Sequence, residues 1–335
     1  MRAMVIKEQG GDFILEERDV PQPGDGEVLV RVHACGVCHS DVFAKDGYPG
    51  VSWPVVPGHE IAGEIAALGE HVHGWAVGQR VGVGWFGGNC GYCEWCRRGQ
   101  LIDCVNMGIP GVTMDGGYAD YVVVRAAALA RLPDDLTPED AGPLLCAGIT
   151  TFNALRTSGA PGGGRVAILG VGGLGHLGVQ FARHLGFETV AVARGVEKEA
   201  LARQMGAHHY IDSTDGDPGA KLSALGGVHL ILSTITNSEA IGAVFGGLRP
   251  EGKLMIVGAS MEPLPVPAAM LISGDKVIEG HASGTSIDSE DTLRFSAMTG
   301  IRPMIETLPL ERAAEAFERM ISGRARFRMV LTTGA

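Results

Sequence analysis

The sequence has little positive charge and no long apolar run, and these absences exclude several classes of protein. Its 335 residues include 27 lysines and arginines against 38 aspartates and glutamates, which gives a formal net charge of −11. Affinity for nucleic acid depends mainly on clustered cations, so we expect no nucleic-acid partner. No window approaches about 20 apolar residues without charges or glycines, so we expect no membrane span. The N-terminus has no apolar stretch suited to a signal peptide, which favours a cytoplasmic protein.

Aromatic residues are also few, at 6%, but hydrophobic residues make up 45% of the chain. This composition is sufficient to bury a core and argues against disorder. The length exceeds the roughly 250–300 residues at which one hydrophobic core stops growing, so the sequence predicts two domains.

The seven cysteines are unevenly distributed along the chain. Without an export signal they should stay reduced, which favours metal ligands or thiols over disulfides. Cys90, Cys93, Cys96 and Cys104 form a C-x2-C-x2-C-x7-C pattern. Four thiolates complete a tetrahedral zinc shell with no open position, as in structural sites. The alternatives are unrelated surface thiols or a nucleic-acid zinc ribbon, and the acidic charge argues against the ribbon.

A second, dispersed set of candidate ligands comprises Cys38, His59, Glu60 and Cys146. A catalytic zinc takes three protein ligands and keeps a fourth position for water or substrate, which two thiolates and one imidazole would suit. Spacing alone does not establish this set. Taken singly, Cys146 is compatible with a buried core thiol and His59 with a loop residue.

The pattern of apolar runs changes near residue 150. Before that point, alternating runs such as Val28–Val32 and Tyr118–Val124 predict a β-rich region. From about 150 to 284, short apolar runs alternate with segments of helical spacing, as in a parallel sheet covered by helices on both faces. The motif Gly170-Val-Gly172-Gly173-Leu174-Gly175 follows the apolar run Arg165–Leu169 and opens a predicted helix over Leu174–Leu185. This setting favours a dinucleotide-binding turn, and a glycine-rich turn without a ligand is the alternative.

Five motifs occur together in the order seen in one enzyme family: Gly36–Asp41, Pro57–Glu60, the four-cysteine segment, Leu145–Gly148 and Gly170–Gly175. Over essentially its whole length the sequence resembles the zinc-dependent medium-chain alcohol dehydrogenases, and most closely the bacterial enzymes for primary alcohols and aldehydes. The resemblance implies an α/β fold in three parts. They are a GroES-like β-rich catalytic domain (1–149, with a zinc lobe at about 88–106), a Rossmann coenzyme domain with a doubly wound parallel sheet (150–284), and a C-terminal segment (285–335) that completes the catalytic domain.

The resemblance also implies roles for individual residues. Cys38, His59 and Cys146 match the ligands of a catalytic zinc, while Cys90, Cys93, Cys96 and Cys104 match those of a structural zinc. Glu60 matches a carboxylate that exchanges with the substrate oxygen, Asp41 the acid that orients the histidine ligand, and Ser40 the hydroxyl that takes the alcohol proton. The remaining matches are coenzyme contacts at His39, Thr150, Gly170, Gly172, Gly173, Leu174, Gly175 and Arg328, and pocket walls at Trp53 and Trp85.

Two positions depart from the family pattern. Many relatives have a histidine five positions after the first zinc cysteine, where it completes a proton relay; this chain has Phe43. Members that use NAD end the second Rossmann strand with an acid, whereas here Ala193 is followed by Arg194. A guanidinium can pair with a 2′-phosphate, so we expect NADP(H) to be favoured and NAD to remain possible. The alternative for Arg194 is a solvated surface residue.

The sequence therefore predicts an enzyme that catalyses reversible hydride transfer between a primary or secondary alcohol and NAD(P), with two zinc ions per chain. We expect a small-molecule alcohol or aldehyde substrate and a homo-oligomer of two or four chains. The alternatives are a zinc-free quinone reductase of the same fold, a polyol-type dehydrogenase, and a zinc-binding protein without activity. A polyol enzyme would generally have a carboxylate at the position of Cys146.

Overall fold

The structure, a computed structural model, describes residues 1–258 and 260–334 and divides them into two compact units. Unit 1 consists of Met1–Ile149 together with the described residues from Gly284 onward, and unit 2 is Thr150–Ser283. Gly284, which the sequence analysis assigned to the coenzyme domain, thus lies in unit 1. It belongs to a loop, where no periodic pattern marks a boundary.

The described residues form fifteen strands and eleven α-helices. The strands are β1 (Arg2–Val5), β2 (Ile14–Glu17), β3 (Glu27–Val37), β4 (Ile61–Leu68), β5 (Arg80–Val83), β6 (Tyr121–Arg125), β7 (Ala130–Arg131), β8 (Arg165–Leu169), β9 (Glu188–Ala193), β10 (His209–Asp212), β11 (Val228–Ser233), β12 (Leu248–Ile256), β13 (Val277–Gly280), β14 (Ile305–Pro309) and β15 (Arg328–Thr332).

The helices are α1 (Val42–Asp46), α2 (Glu94–Arg97), α3 (Pro138–Pro143), α4 (Ile149–Arg156), α5 (Gly175–His184), α6 (Glu199–Gln204), α7 (Pro218–Ala224), α8 (Ser238–Val244), α9 (Ala268–Ile272), α10 (Ser286–Thr299) and α11 (Ala313–Ile321). None of these helices has the length and apolarity that a membrane crossing requires.

Unit 1 is built on a seven-stranded sheet in the order β14-β15-β3-β4-β5-β7, with β6 also paired to β3. All pairs are antiparallel except β14 with β15. Val30, Val32 and Ala34 of β3 are fully buried, whereas Arg31 and His33 between them are half-buried. This alternation, visible in the sequence, gives β3 one apolar face for the core.

Unit 2 is built on a six-stranded sheet in the order β10-β9-β8-β11-β12-β13, and every pair is parallel. In β8, Val166–Leu169 are all buried, as expected for a strand covered on both faces. The predicted run Arg165–Leu169 has the bounds of β8. The strand order reverses between β8 and β11, which is the arrangement that leaves a ligand crevice at the carboxyl ends of such strands.

Candidate active site and metal centres

The four cysteines of the C-x2-C-x2-C-x7-C pattern come together at one end of unit 1. We call this segment, residues 88–106, the lobe. The sulfur atoms of Cys90, Cys93, Cys96 and Cys104 all lie within 4.8 Å of one another. Individual separations are 3.6 Å for Cys90 and Cys104, 4.0 Å for Cys90 and Cys96, and 3.9 Å for Cys93 and Cys104. A tetrahedral zinc with Zn–S bonds of about 2.3 Å needs sulfurs about 3.8 Å apart, so the residues present fit a zinc ion.

Local structure explains how so short a segment brings four sulfurs together. Gly91 has φ +79°, which lets the chain turn sharply after the first cysteine. Cys93 caps the single turn of α2 and Cys96 lies within it. The Asn89 side-chain amide donates to the Cys96 sulfur at 3.5 Å, and the Cys90 backbone N–H donates to the Cys104 sulfur at 3.4 Å. N–H donors aimed at sulfur favour the thiolate form that binds metal.

The second set of ligand atoms is assembled from distant parts of the chain. Cys38 precedes a 3₁₀ turn (His39–Asp41) at the end of β3, and His59 and Glu60 lie directly before β4. Cys146 lies on a π-helical turn, Leu144–Gly148, between α3 and α4. The ligand atoms of these four residues lie within 4.8 Å of one another, and the Cys38 and Cys146 sulfurs are 3.7 Å apart. We call them the buried ligand set.

Burial and unpaired polar atoms show that the buried ligand set also fits a metal ion. His59 and Glu60 are fully buried. Both ring nitrogens of His59 and Oε2 of Glu60 are shielded from solvent without a hydrogen-bond partner in the described chain. Buried polar atoms without partners are costly, and a cation beside them removes that cost. Space for the Glu60 carboxylate depends on Gly36, where an added Cβ would lie 1.8 Å from Oε2.

Charges within the buried ligand set shift the pKa values of its members. A hydrogen bond from the Cys146 thiol lowers the pKa of Cys38 well below its ordinary value. Burial raises the pKa of Glu60 to about 7, although the nearby Arg328 opposes the shift. Arg328, on β15, is itself buried and donates from Nη2 to Oε1 of Glu60.

Asp41 lies behind His59 and is held by a residue that the sequence analysis did not select. Oδ1 of Asp41 is 3.2 Å from Nδ1 of His59. Oδ2 accepts from the backbone N–H of Cys38 at 2.9 Å and from the hydroxyl of Tyr118 at 2.7 Å. The sequence predicted Tyr118 to begin a strand, but β6 begins at Tyr121. Only its position beside adjacent glycines, in Gly116-Gly117-Tyr118, distinguishes it in the sequence.

Aromatic rings surround one side of the buried ligand set. The Trp85 ring lies edge-on to the His59 ring, with centroids 5.0 Å apart. Phe43 lies 6.2 Å from Trp85 and 4.7 Å from Tyr48, between centroids. Trp53 has a different environment: its indole N–H donates to the Ala44 carbonyl oxygen, and it packs on a small apolar cluster under α1. The pocket roles of Trp53 and Trp85 stay predictions, and Tyr48, whose ring contacts Phe43, is a further candidate wall residue.

The other residues predicted to take part in catalysis or coenzyme binding lie in both units. Ser40 is half-buried in the 3₁₀ turn beside the ligand set, and its backbone N–H donates to the Cys38 sulfur at 3.5 Å. His39, in the same turn, is exposed. Thr150 is buried on α4, at the start of unit 2.

The glycine motif forms the turn between β8 and α5 in unit 2, and its geometry fits a dinucleotide. Gly170 has φ +94°. An added Cβ at Gly175 would lie 1.7 Å from the Gly170 carbonyl oxygen, so the helix packs directly on the turn. At Gly172 nothing lies within 4 Å, so its backbone is open to a ligand. Gly173 and Leu174 complete the turn, and α5 begins at Gly175, so the positive end of the helix dipole lies at this turn.

A carboxylate lies close to the end of β9, although the residue at the strand end is Ala193. Arg194 is exposed and has no ion pair within the described residues. The Glu197 side chain folds back over Gly195, such that an added Cβ there would lie 2.0 Å from Oε2 of Glu197. Glu197 lies four positions beyond the strand end, so the pattern at the strand end does not single it out.

Comparisons with known proteins identify the family. The alcohol dehydrogenase GroES-like domain matches residues 24–134, and the zinc-binding dehydrogenase domain matches residues 173–298. The chain is 42% identical to the alcohol dehydrogenase notN of Aspergillus sp. (strain MF297-2), over 98% of this chain and 96% of that protein. It is 35% identical to the NADP-dependent alcohol dehydrogenase C 1 of Mycolicibacterium smegmatis, over 93% and 92% of the two chains.

A solved structure agrees with these relatives. The crystal structure of an NAD-dependent alcohol dehydrogenase superposes with a TM-score of 0.92 at 28% identity and covers all of both chains. The predicted α/β fold class, with a GroES-like part and a parallel-sheet part, is confirmed. The predicted enzyme class is confirmed as well. The chain thus belongs to the zinc-type medium-chain alcohol dehydrogenase family.

Proposed function

We propose that this alcohol dehydrogenase oxidises small alcohols and reduces the corresponding aldehydes with NADP(H), using zinc held by Cys38, His59 and Cys146. The observation that supports this most strongly is the assembly of the buried ligand set from three distant segments into one group of ligand atoms within 4.8 Å. Chance burial of thiols would not also leave Nε2 of His59 without a partner.

The residues around this site have complementary tasks. Zinc bound there would polarise the substrate oxygen as a Lewis acid. Ser40 relays the proton of the alcohol: during oxidation its hydroxyl accepts that proton and releases its own toward water, and during reduction the transfer runs in reverse. Asp41 holds the imidazole of His59, and the Glu60 carboxylate would serve as an alternative ligand to the substrate oxygen.

The two units divide the work. We assign catalysis to unit 1 and the main coenzyme contacts to unit 2, where the Gly170–Gly175 turn receives the pyrophosphate and Thr150 lies near the nicotinamide. His39 and Arg328, which belong to unit 1, are further predicted contacts. The coenzyme supplies the hydride chemistry. We assign a second, structural zinc to the lobe. A homo-oligomer of two or four chains and a cytoplasmic location stay predictions.

The aromatic rings beside His59 favour a particular kind of alcohol. Phe43, Tyr48 and Trp85 give unit 1 an apolar wall next to the ligand set. Aromatic faces bind flat apolar groups through area burial and ring contacts worth about 0.5–1.5 kcal/mol each. We therefore expect alcohols with an aromatic or extended apolar group to react with higher kcat/KM than ethanol.

Metal analysis of the purified holoenzyme tests the central proposal. We expect two zinc ions per chain in the wild type and one in Cys38→Ala. The matched control is Cys35→Ala, since Cys35 is a buried thiol outside both ligand groups and its removal should leave both ions bound. One zinc in the wild type, or two in Cys38→Ala, would contradict a metal at the buried ligand set.

The coenzyme preference is tested by binding and by kinetics. We expect a lower dissociation constant for NADPH than for NADH, and a higher kcat/KM with NADP⁺. Arg194→Asp should weaken NADPH binding by at least about tenfold, the value of one charged hydrogen bond. Because the Glu197 carboxylate would repel a 2′-phosphate, Glu197→Gln should strengthen NADPH binding and leave NADH nearly unchanged. Equal or better efficiency with NAD⁺ in the wild type would overturn the preference.

A further inference from the structure

Tyr118 connects the two chain segments that contain Cys38 and His59. It is fully buried, and its backbone N–H donates to the Pro57 carbonyl oxygen at 2.9 Å. Its ring packs on Gly58, the residue before His59, so closely that an added Cβ there would lie 2.4 Å from a ring carbon. Its hydroxyl reaches the other segment and donates to Asp41, at the end of the turn that Cys38 begins.

The two oxygens of Asp41 have different partners. Oδ2 accepts two hydrogen bonds, from the Tyr118 hydroxyl at 2.7 Å and from the Cys38 backbone N–H at 2.9 Å. Oδ1 faces Nδ1 of His59 at 3.2 Å. With Oδ2 held from two sides, the carboxylate plane is fixed, and Oδ1 stays directed at the imidazole. Nδ1 thus faces Asp41 at ion-pair distance, although the two atoms are not aligned for a hydrogen bond, and Nε2 stays available as the ligand atom.

We propose that Tyr118 is a positioning residue for the catalytic metal: its hydroxyl fixes Asp41, and Asp41 in turn fixes the imidazole of His59. The inference rests on the zinc site proposed above. Partners of this kind determine the orientation of a metal-bound histidine, and their removal typically costs about 10- to 100-fold in metal affinity or activity. The Tyr118 hydroxyl makes no contact with a metal ligand itself and acts only through Asp41.

A purely structural role for Tyr118 leads to a different expectation. The ring fills space against Gly58, and phenylalanine would keep that packing. If packing were the whole role, Tyr118→Phe would change the melting temperature at most, and the bound metal would be unaffected. Metal release and the absorption spectrum of the metal therefore separate the two roles.

The experiment compares zinc release from the wild type, Tyr118→Phe and the control Tyr121→Phe, whose residue is half-buried on β6. Each holoenzyme is mixed with excess chelator, and the two zinc ions are followed as they leave. Release from the lobe is an internal reference, because Tyr118 has no contact there. We expect Tyr118→Phe to accelerate release from the buried ligand set by about 10- to 100-fold and to shift the d–d bands of the cobalt-substituted protein. Tyr121→Phe should match the wild type.

Wild-type release rates and cobalt spectra in Tyr118→Phe would overturn the inference while leaving the zinc proposal intact. A wild type with a single zinc would overturn both. If Tyr118→Phe does not fold, Asp41→Asn takes its place, since it keeps an oxygen for the Tyr118 hydroxyl but loses the carboxylate facing His59; unchanged release there would also overturn the inference. In the double variant the two effects should not add, because both act through one carboxylate.

Discussion

The lobe and the buried ligand set both bring cysteine sulfurs within bonding distance of one metal ion, yet they are built in opposite ways. The lobe takes its four sulfurs from fifteen consecutive residues, and Tyr92, beside its ligands, is largely exposed. The buried ligand set takes its atoms from three distant segments, and His59 and Glu60 within it are fully buried. The ligand atoms of the lobe are all cysteine sulfurs. The buried set mixes thiolate, imidazole and carboxylate.

These differences have a chemical consequence. Four thiolates use every position of a tetrahedral ion, so a metal in the lobe can only hold the chain together. With Cys38, His59 and Cys146 as the proposed ligands, one position of the ion would stay open for substrate. Asp41 faces His59 in this set, and Arg328 pairs with Glu60. We therefore expect the lobe to contribute mainly to stability and the buried ligand set mainly to turnover.

Removing one cysteine from each group is the strongest test of this comparison. Cys38→Ala should lower kcat/KM by at least about 1,000-fold, because loss of a ligand abolishes the transition-state stabilisation that the metal supplies. Cys93→Ala should instead lower the melting temperature, because metal binding at a closed site contributes to folding. Activity is measured with a primary alcohol, and unfolding by circular dichroism.

The opposite result, in which Cys38→Ala mainly lowers the melting temperature and Cys93→Ala mainly lowers kcat/KM, would contradict the roles assigned to the two sites. A Cys93→Ala protein that keeps its melting temperature would show that the lobe is not a metal-stabilised element. A Cys38→Ala protein with full turnover would remove the open site from catalysis.

Ion pairs offer a second, smaller contrast between the two regions. Arg328→Met leaves the Glu60 carboxylate buried without its cation, and losing one partner of a buried pair costs about 3–5 kcal/mol. In the lobe, Glu94 and Arg98 form an exposed pair at 2.8 Å, and Glu94→Gln should cost at most about 0.5 kcal/mol. The free energy of unfolding in urea measures both. Equal costs would mean that burial does not distinguish the regions.

The same contrast explains how much the sequence predicted. The lobe was predictable because its spacing is local, and the turn at Gly170–Gly175 was predictable because a strand and a helix flank it. The buried ligand set had no such local pattern, and only the resemblance to a family singled out Cys38, His59 and Cys146. The assembly of their ligand atoms depends on how β3, β4 and the π-helical turn pack in three dimensions.

The side-chain contacts around the site were even harder to predict from the sequence. Tyr118 was predicted to lie in a strand, because β-forming residues follow it. Nothing in that sequence pattern indicates that its hydroxyl contacts the Asp41 carboxylate. Tyr48 follows a helix and a glycine, and nothing in the sequence places its ring on Phe43. The acidic residue that distinguishes NAD from NADP is expected at the end of the strand, and Glu197 lies beyond that position. Its carboxylate comes close to the strand end only because the side chain folds over Gly195. Side-chain direction in loops is decided by tertiary contacts, which local patterns do not record.

Proton transfer gives the smallest predicted effect and the finest distinction between the two regions, because only the open site needs a route for protons. Phe43 occupies the position of the relay histidine and is half-buried between Tyr48 and Trp85. We expect Phe43→His to raise alcohol oxidation severalfold below about neutral pH, where an added base helps most. Phe43→Leu is the control, since it loses the ring contacts without gaining a base. Superimposable pH–rate profiles for the two variants would show that the proton leaves through Ser40 and water without needing a base at position 43.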